Sequence, residues 1–200
     1  MPREKAFLDT RVIIDKTIEL IEAEGYERFS TRRLAAALGS SVMTLYNYYE
    51  NREAILREAL LGCFENLLAG IEARLEPYLS GERGSPLRAY VALGELLRAF
   101  SLERPRIYAF LFEANLVPLR TDPRIAAVYG YTYGRIEALL RDPARSGELH
   151  DRIYLFQVLM NSLVKNAARG RGGIDPARFE ALLAEAYSAL VAPYEGLVAP

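Results

Sequence analysis

The chain predicts an all-α fold of about nine helices, and three observations predict it. Apolar residues recur at spacings of three and four, alternating apolar-polar runs of strand type are absent, and prolines follow capping residues where helices would start. Of the 200 residues 51% are hydrophobic, enough for a sizeable core, yet no apolar run approaches the roughly twenty residues that cross a bilayer. The charged opening "MPREKAFLDTRVIIDK" has neither the long apolar stretch nor the small-residue cleavage site of an export signal, so the cytoplasm is the expected location. One cysteine, Cys63, and one histidine, His150, supply no disulfide and no metal-ligand set, and no cofactor is expected.

Taken in order, the first helix carries Ile14, Ile18 and Ile21 along one stripe. Ser30 can accept an N–H at the start of "TRRLAAAL", whose Leu34, Ala35 and Leu38 make a buried face, and Gly39 supplies the permissive backbone that ends it. Ser41 can cap a very short helix, "VMTLYNYY", and Asn51 can cap "REAILREAL", which meets no breaker before Pro77. Later helices open near Pro86, Pro105, Pro123 and Pro176, with another after "RDPARSGEL", because proline at a first helical position forfeits an N–H that has no partner there. Leu93, Leu96, Leu97 and Phe100 form the stripe of the fifth. The eighth, about Glu148 to Arg169, aligns Leu149, Ile153, Phe156, Met160 and Leu163, and the ninth, about Pro176 to Val191, aligns Phe179, Leu182, Leu183, Ala186 and Leu190. Between these last two, "RGRGGID" follows a helix and lacks phosphate-loop spacing, so it reads as a helix stop.

Two short helices joined by a glycine-containing turn make a helix-turn-helix, whose second helix lies in the DNA major groove. In that arrangement Leu45 turns inward against Leu34 and Leu38. Val42, Met43, Thr44, Tyr46, Asn47 and Tyr48 then face outward, where hydroxyls and an amide can bond phosphates or base edges. Net charge is only −1, but from Arg28 to Arg52 there are four arginines and one acid, so positive potential gathers at this end. Arg52, opening the next helix, suits a phosphate.

The run "GYERFSTRRLAAALGSSVMTLYNYYENREAIL", Gly25 to Leu56, resembles the DNA-binding domain of the tetracycline-repressor (TetR) family of transcriptional regulators: a Thr opening helix 2, then "LA", "LG", "TLYNYY" and "NREAIL". The resemblance implies DNA contacts at Thr31, Arg32, Val42, Met43, Thr44, Tyr46, Asn47, Tyr48 and Arg52, with Ser41 at the head of the helix. Thr31, Tyr46, Tyr48 and Arg52 would be directed at phosphates. Val42 stands where many members carry Lys, Arg or Gln. It also implies a DNA-binding domain over residues 1–56 and a ligand-binding, dimerising domain over 57–200, where "FSLERPRIYAFLFE" is similar to the family's helix 5 to 6 junction. Phe64, Leu67, Phe100, Phe112, Tyr129, Tyr133 and Phe156 become candidates for an effector pocket. Ile153, Met160, Phe179, Leu183 and Tyr187 become candidates for a two-fold four-helix seam. The implied protein is a homodimer, binding a double-stranded operator and released by a small apolar or aromatic effector. Two alternatives compete: a DNA-binding dimer without an effector, and an α-helical enzyme, for which the chain offers no nucleophile-base pair, cofactor loop or metal set.

Overall fold

The computed structural model describes residues 8–114 and 123–199, with the side chains of Ile125, Ala127, Val128 and Tyr129 excepted. Among them stand nine α-helices and no strand: α1 Thr10–Glu24, α2 Thr31–Ala37, α3 Val42–Leu45, α4 Arg52–Leu79, α5 Ala89–Glu103, α6 Pro105–Tyr108, α7 Pro123–Glu137, α8 Ser146–Ala168 and α9 Pro176–Leu190. The chain divides into two compact units. The first takes the residues up to Asn66 with those of Arg106–Ile125, and the second takes Leu67–Pro105 with Ala126–Pro200.

In the first unit, α1 starts where Asp9 Oδ1 accepts from the Arg11 N–H at 2.9 Å. It ends at Gly25, whose φ of +90° glycine tolerates and whose N–H bonds the Ile21 carbonyl at 2.8 Å. The buried face of α1 is Ile13, Thr17 and Ile21, whereas Ile14 and Ile18 are half-buried, so the stripe expected from sequence is rotated. Thr17 is tolerated inside because its hydroxyl donates to the Ile13 carbonyl at 2.8 Å. Ile14 and Ile18 sit over Gly62 of α4. Ile13, Ile21, Leu34, Leu45, Ile55 and Leu56 are the wholly buried centre of this unit. Each removes its side chain from water for about 1.5–3 kcal/mol. Past α6 the chain widens into a π-helical turn, Ala109–Glu113, that sends Phe110 and Leu111 into the core. Phe110 meets Tyr26 at 6.0 Å between ring centroids, and Phe112 meets Phe64 edge-on at 5.7 Å. The Arg106 guanidinium donates to the Glu22 and Ala23 carbonyls, satisfying acceptors that the end of α1 leaves without helical partners.

In the second unit α5, α8 and α9 pack pairwise against one another. They meet at Gly94, where a β-carbon would lie 3.0 Å from a Leu183 methyl and 3.1 Å from Met160 Cγ, so the absence of a side chain sets how closely the three approach. Tyr90, Phe156, Phe179 and Leu183 are fully buried around this junction. Asp175 caps α9, accepting from the Arg178 N–H at 2.8 Å, and Pro176 follows it. Antiparallel pairing of Leu140 with Val198, flanked by Arg141 N–H to the Leu197 carbonyl at 2.9 Å and Ala199 N–H to the Leu139 carbonyl at 2.8 Å, ties the last residues to the end of α7. The helix α4 runs on through Pro77, which stands in its last turn.

Candidate nucleic-acid interface

Two short helices and a tight turn build the site. Ser30 Oγ accepts from the Arg33 N–H at 3.3 Å to open α2. Its other end is a Schellman closure, with Ser40 N–H bonded to the Ala35 carbonyl at 2.8 Å, Gly39 N–H to the Ala36 carbonyl at 3.1 Å, and Gly39 at a φ of +61°. Ser41 Oγ then accepts from the Thr44 N–H at 3.1 Å and shares a hydrogen bond with Thr44 Oγ1 at 2.9 Å. Leu34 and Leu45 are both fully buried, which fixes α3 against α2 and turns its other sides outward. The α-helix itself stops at Leu45. Asn47 and Tyr48 N–H groups bond carbonyls only three residues back, so the expected "VMTLYNYY" helix is a single α turn that tightens as it ends.

Met43 is 73% exposed and Tyr46 41% exposed; Asn47, Arg32 and Ser41 are also exposed, while Thr31, Val42, Thr44, Tyr48 and Arg52 are half-buried. The structure therefore brings all ten residues read from the sequence as DNA contacts onto or beside the helix-turn-helix. The Thr31 hydroxyl approaches the Tyr46 hydroxyl at 3.5 Å, linking the head of α2 to the end of α3. Arg52 is anchored: its guanidinium lies 5.6 Å over the Phe29 ring, donates to the Phe29 carbonyl at 3.4 Å, and stands 3.7 Å from Glu53. Arg33 pairs with Glu24. Of the four arginines counted in this stretch, only Arg28 and Arg32 keep their charge without a carboxylate partner among the described residues, so the positive surface is narrower than the sequence count suggests. Tyr49, which sequence reasoning left unassigned, reaches back to the Thr10 carbonyl at 3.5 Å; burial pushes its phenol pKa up, with Glu58 and Asp9 adding to the effect.

The candidates for the effector pocket are divided between the two units. Phe64 and Phe112 come together in the first unit. In the second, Phe156 lies between Tyr90, at 6.5 Å, and Tyr187, at 6.1 Å, as part of the core. Tyr133 bonds Ser146 Oγ at 3.0 Å and stands edge-on to His150 at 4.7 Å. Leu67 and Phe100 are half-buried, and the Tyr129 side chain lies outside the described residues. The Tyr90 hydroxyl, a feature no sequence pattern signals, is buried and has no hydrogen-bond partner among the described residues. Burial, and then Tyr133, push its pKa well above the ordinary phenol value.

The candidate seam residues require correction. Ile153, Met160, Phe179, Leu183 and Tyr187 are 5% exposed or less within the single chain, where they form the contact of α5, α8 and α9, so they present no surface to a second copy. Hydrophobic periodicity finds the most apolar stripe of a helix, and that stripe is here the inward one. The outward apolar positions of α8 are instead Tyr154, Leu155, Val158 and Leu159, at 59%, 46%, 49% and 47% exposure. Cys63 is buried, and no metal-binding cluster of His, Cys, Asp or Glu occurs among the described residues. No described helix is long and apolar enough to cross a membrane.

Residues 13–59 match the model of the bacterial regulatory proteins of the tetR family. Along nearly the whole chain the fold is similar to two crystal structures. One is a TetR transcriptional regulator from Rhodococcus sp. RHA1, with TM-score 0.62, 16% identity, and coverage of 92% of this chain and 96% of that one. The other is a TetR family transcription regulator from Marinobacter aquaeolei VT8, with TM-score 0.54, 20% identity, and coverage of 90% and 94%. No curated protein matches the chain in sequence.

Proposed function

We infer that this chain, which carries the N-terminal domain of the tetR family of bacterial regulatory proteins and the fold of TetR transcriptional regulators, is a homodimeric repressor that a small apolar or aromatic effector releases from a palindromic operator. The observation that carries the reading is the outward side of α3, where Met43, Thr44, Tyr46 and Asn47 stand together on a capped turn backed by buried Leu34 and Leu45. Thr44 and Asn47 supply donors and acceptors for base edges, Met43 an apolar contact for thymine methyls, and Thr31, Tyr46, Tyr48 and Arg52 the phosphate contacts.

A palindrome calls for two copies whose α3 helices stand about 34 Å apart, or a little more. The exposed stripe Tyr154, Leu155, Val158 and Leu159 on α8 supports such pairing, because a contiguous apolar face left in water is costly. For release, an effector held in the second unit near Tyr90, Tyr133 and Phe156 would tilt α4, which runs without a break from the first unit into the second, and so alter the α3 spacing. It achieves this only by as much as it prefers the altered state, typically 1–3 kcal/mol.

The experiment is operator selection from a random duplex library, followed by binding of the purified protein to the selected site and to random duplex at several salt concentrations. Specific binding at least about a thousandfold tighter is expected. Equal affinity for both duplexes would sink the reading, and a selected site without two-fold symmetry would remove its dimeric part.

A further inference from the structure

The C-terminal half of α4, the turn after it and one side of α5 enclose an open groove of about 440 Å³ within the second unit. That volume lies in the range of small-molecule sites. Its walls are apolar where Ala92 and Leu96 of α5 contribute, and charged where α4 and the turn contribute Arg74 and Arg83. Arg74 and Tyr78 are four residues apart on α4 and therefore neighbours on one face. The Arg83 guanidinium lies 5.5 Å over the Tyr78 ring and donates to its hydroxyl at 3.5 Å. Two arginines thus line the groove with one tyrosine. Some other arginines of this unit meet carboxylates, Arg135 with Glu76 at 2.9 Å, Arg145 with Glu148 at 2.9 Å and Arg88 with Glu195 at 3.5 Å, while Arg98 lies over the Phe179 ring and Arg178 donates to the Gly172 carbonyl. Arg74 and Arg83 have no carboxylate partner among the described residues.

The groove also holds acceptors. Pro77 has no N–H, so the carbonyl of Ala73, a residue that lines the same groove, lacks the donor four residues on. Glu95 contributes a carboxyl from α5, and burial, then Glu180, push its pKa up. A ligand that satisfies this lining is anionic at one end, apolar along its body and a hydrogen-bond donor at the other end.

We propose that this groove binds a small amphipathic carboxylate, its charge held between Arg74 and Arg83 beside the Tyr78 ring, its body on Ala92 and Leu96, and its donor on Glu95 and the Ala73 carbonyl. Guanidinium forks match a carboxylate in geometry as well as charge. The site is separate from Tyr90, Tyr133 and Phe156, and its occupancy does not depend on the operator reading.

Titration calorimetry of the full chain, without DNA, with 6-hydroxy-2-naphthoate as the probe tests this. Saturable binding is expected, with 2-naphthol, which lacks the carboxylate, about tenfold weaker. Arg74→Gln and Arg83→Gln should each lose about tenfold while keeping the wild-type melting profile, since neither side chain is buried. Ala73→Trp, at an exposed helix position that fills the groove, should abolish binding. Absence of saturable heat with the wild type, equal affinity for 2-naphthol, or unchanged affinity in all three variants would overturn the proposal. Because no duplex is present, each of these outcomes leaves the operator reading untouched.

Discussion

Tyr90 and Tyr187 are both tyrosines of the second unit's core, yet they meet opposite fates. Tyr187 donates to Glu195 at 2.5 Å, while the Tyr90 hydroxyl has no partner among the described residues. A buried, unsatisfied hydroxyl costs about 1–3 kcal/mol, so Tyr90→Phe should leave the urea midpoint unchanged or raise it. A clear loss of stability would show that the hydroxyl is bonded after all. Both phenols have pKa values raised by burial, Tyr187 further by Glu195, so in the folded state they stay neutral where unfolded tyrosine ionises. Their contribution is complete below about pH 10 and is lost as pH climbs through and beyond it. Urea midpoints should therefore fall between about pH 9 and 11, less steeply in Tyr90→Phe. At the proposed DNA face, Thr44→Ala and Asn47→Ala should relax base preference at individual positions, by about 1–3 kcal/mol of discrimination in a mutated-operator series. Arg52→Ala should weaken all sequences alike and reduce the salt slope by about one. The caps Ser30, Ser41 and Asn51 are legible in sequence because each is satisfied by an N–H three residues on, as Asn51 Oδ1 is by Ala54 at 2.8 Å. Tyr90 is not legible, since its lack of a partner depends on what distant segments place around it.

Among the elements, helix starts announced by proline are found where the sequence puts them, at Pro105, Pro123 and Pro176, while Pro86 and Pro143 open short 3-10 turns that lead into α5 and α8. Local chemistry decides these positions. The direction each helix faces is settled by packing, and there the sequence misleads in two ways. On α1 the expected isoleucine stripe gives way to one containing Thr17, which hides its hydroxyl on its own helix. On α8 the strongest stripe is core, and the weaker one remains outside. Gly94 illustrates a third kind of information, invisible to periodicity: its value lies in a missing side chain. Gly94→Val should force apart α5, α8 and α9 and cost about 1–3 kcal/mol in a thermal or denaturant melt. An unchanged melt would mean that Leu183 and Met160 yield freely.

For the whole molecule, the proposed self-association is the property to test. Leu155→Glu combined with Leu159→Glu should give a folded monomer by sedimentation velocity and lose operator affinity, whereas Ile153→Glu should unfold the chain by leaving an unpaired charge inside it. A folded dimer from the double variant would move the seam elsewhere. Both helices of the helix-turn-helix and its turn could be read from the sequence, but the division of the chain could not, because the first unit is assembled from two stretches. Tyr26 and Phe64 lean on Phe110 and Phe112, and the end of α1 leans on Arg106, residues that arrive only after the chain has passed through Leu67–Pro105 of the second unit. A protein engineer who excised residues 1–66 as a portable reading head would leave out aromatic ballast that the head requires. A chimera that swaps specificities should therefore graft 106–114 along with the N-terminal stretch.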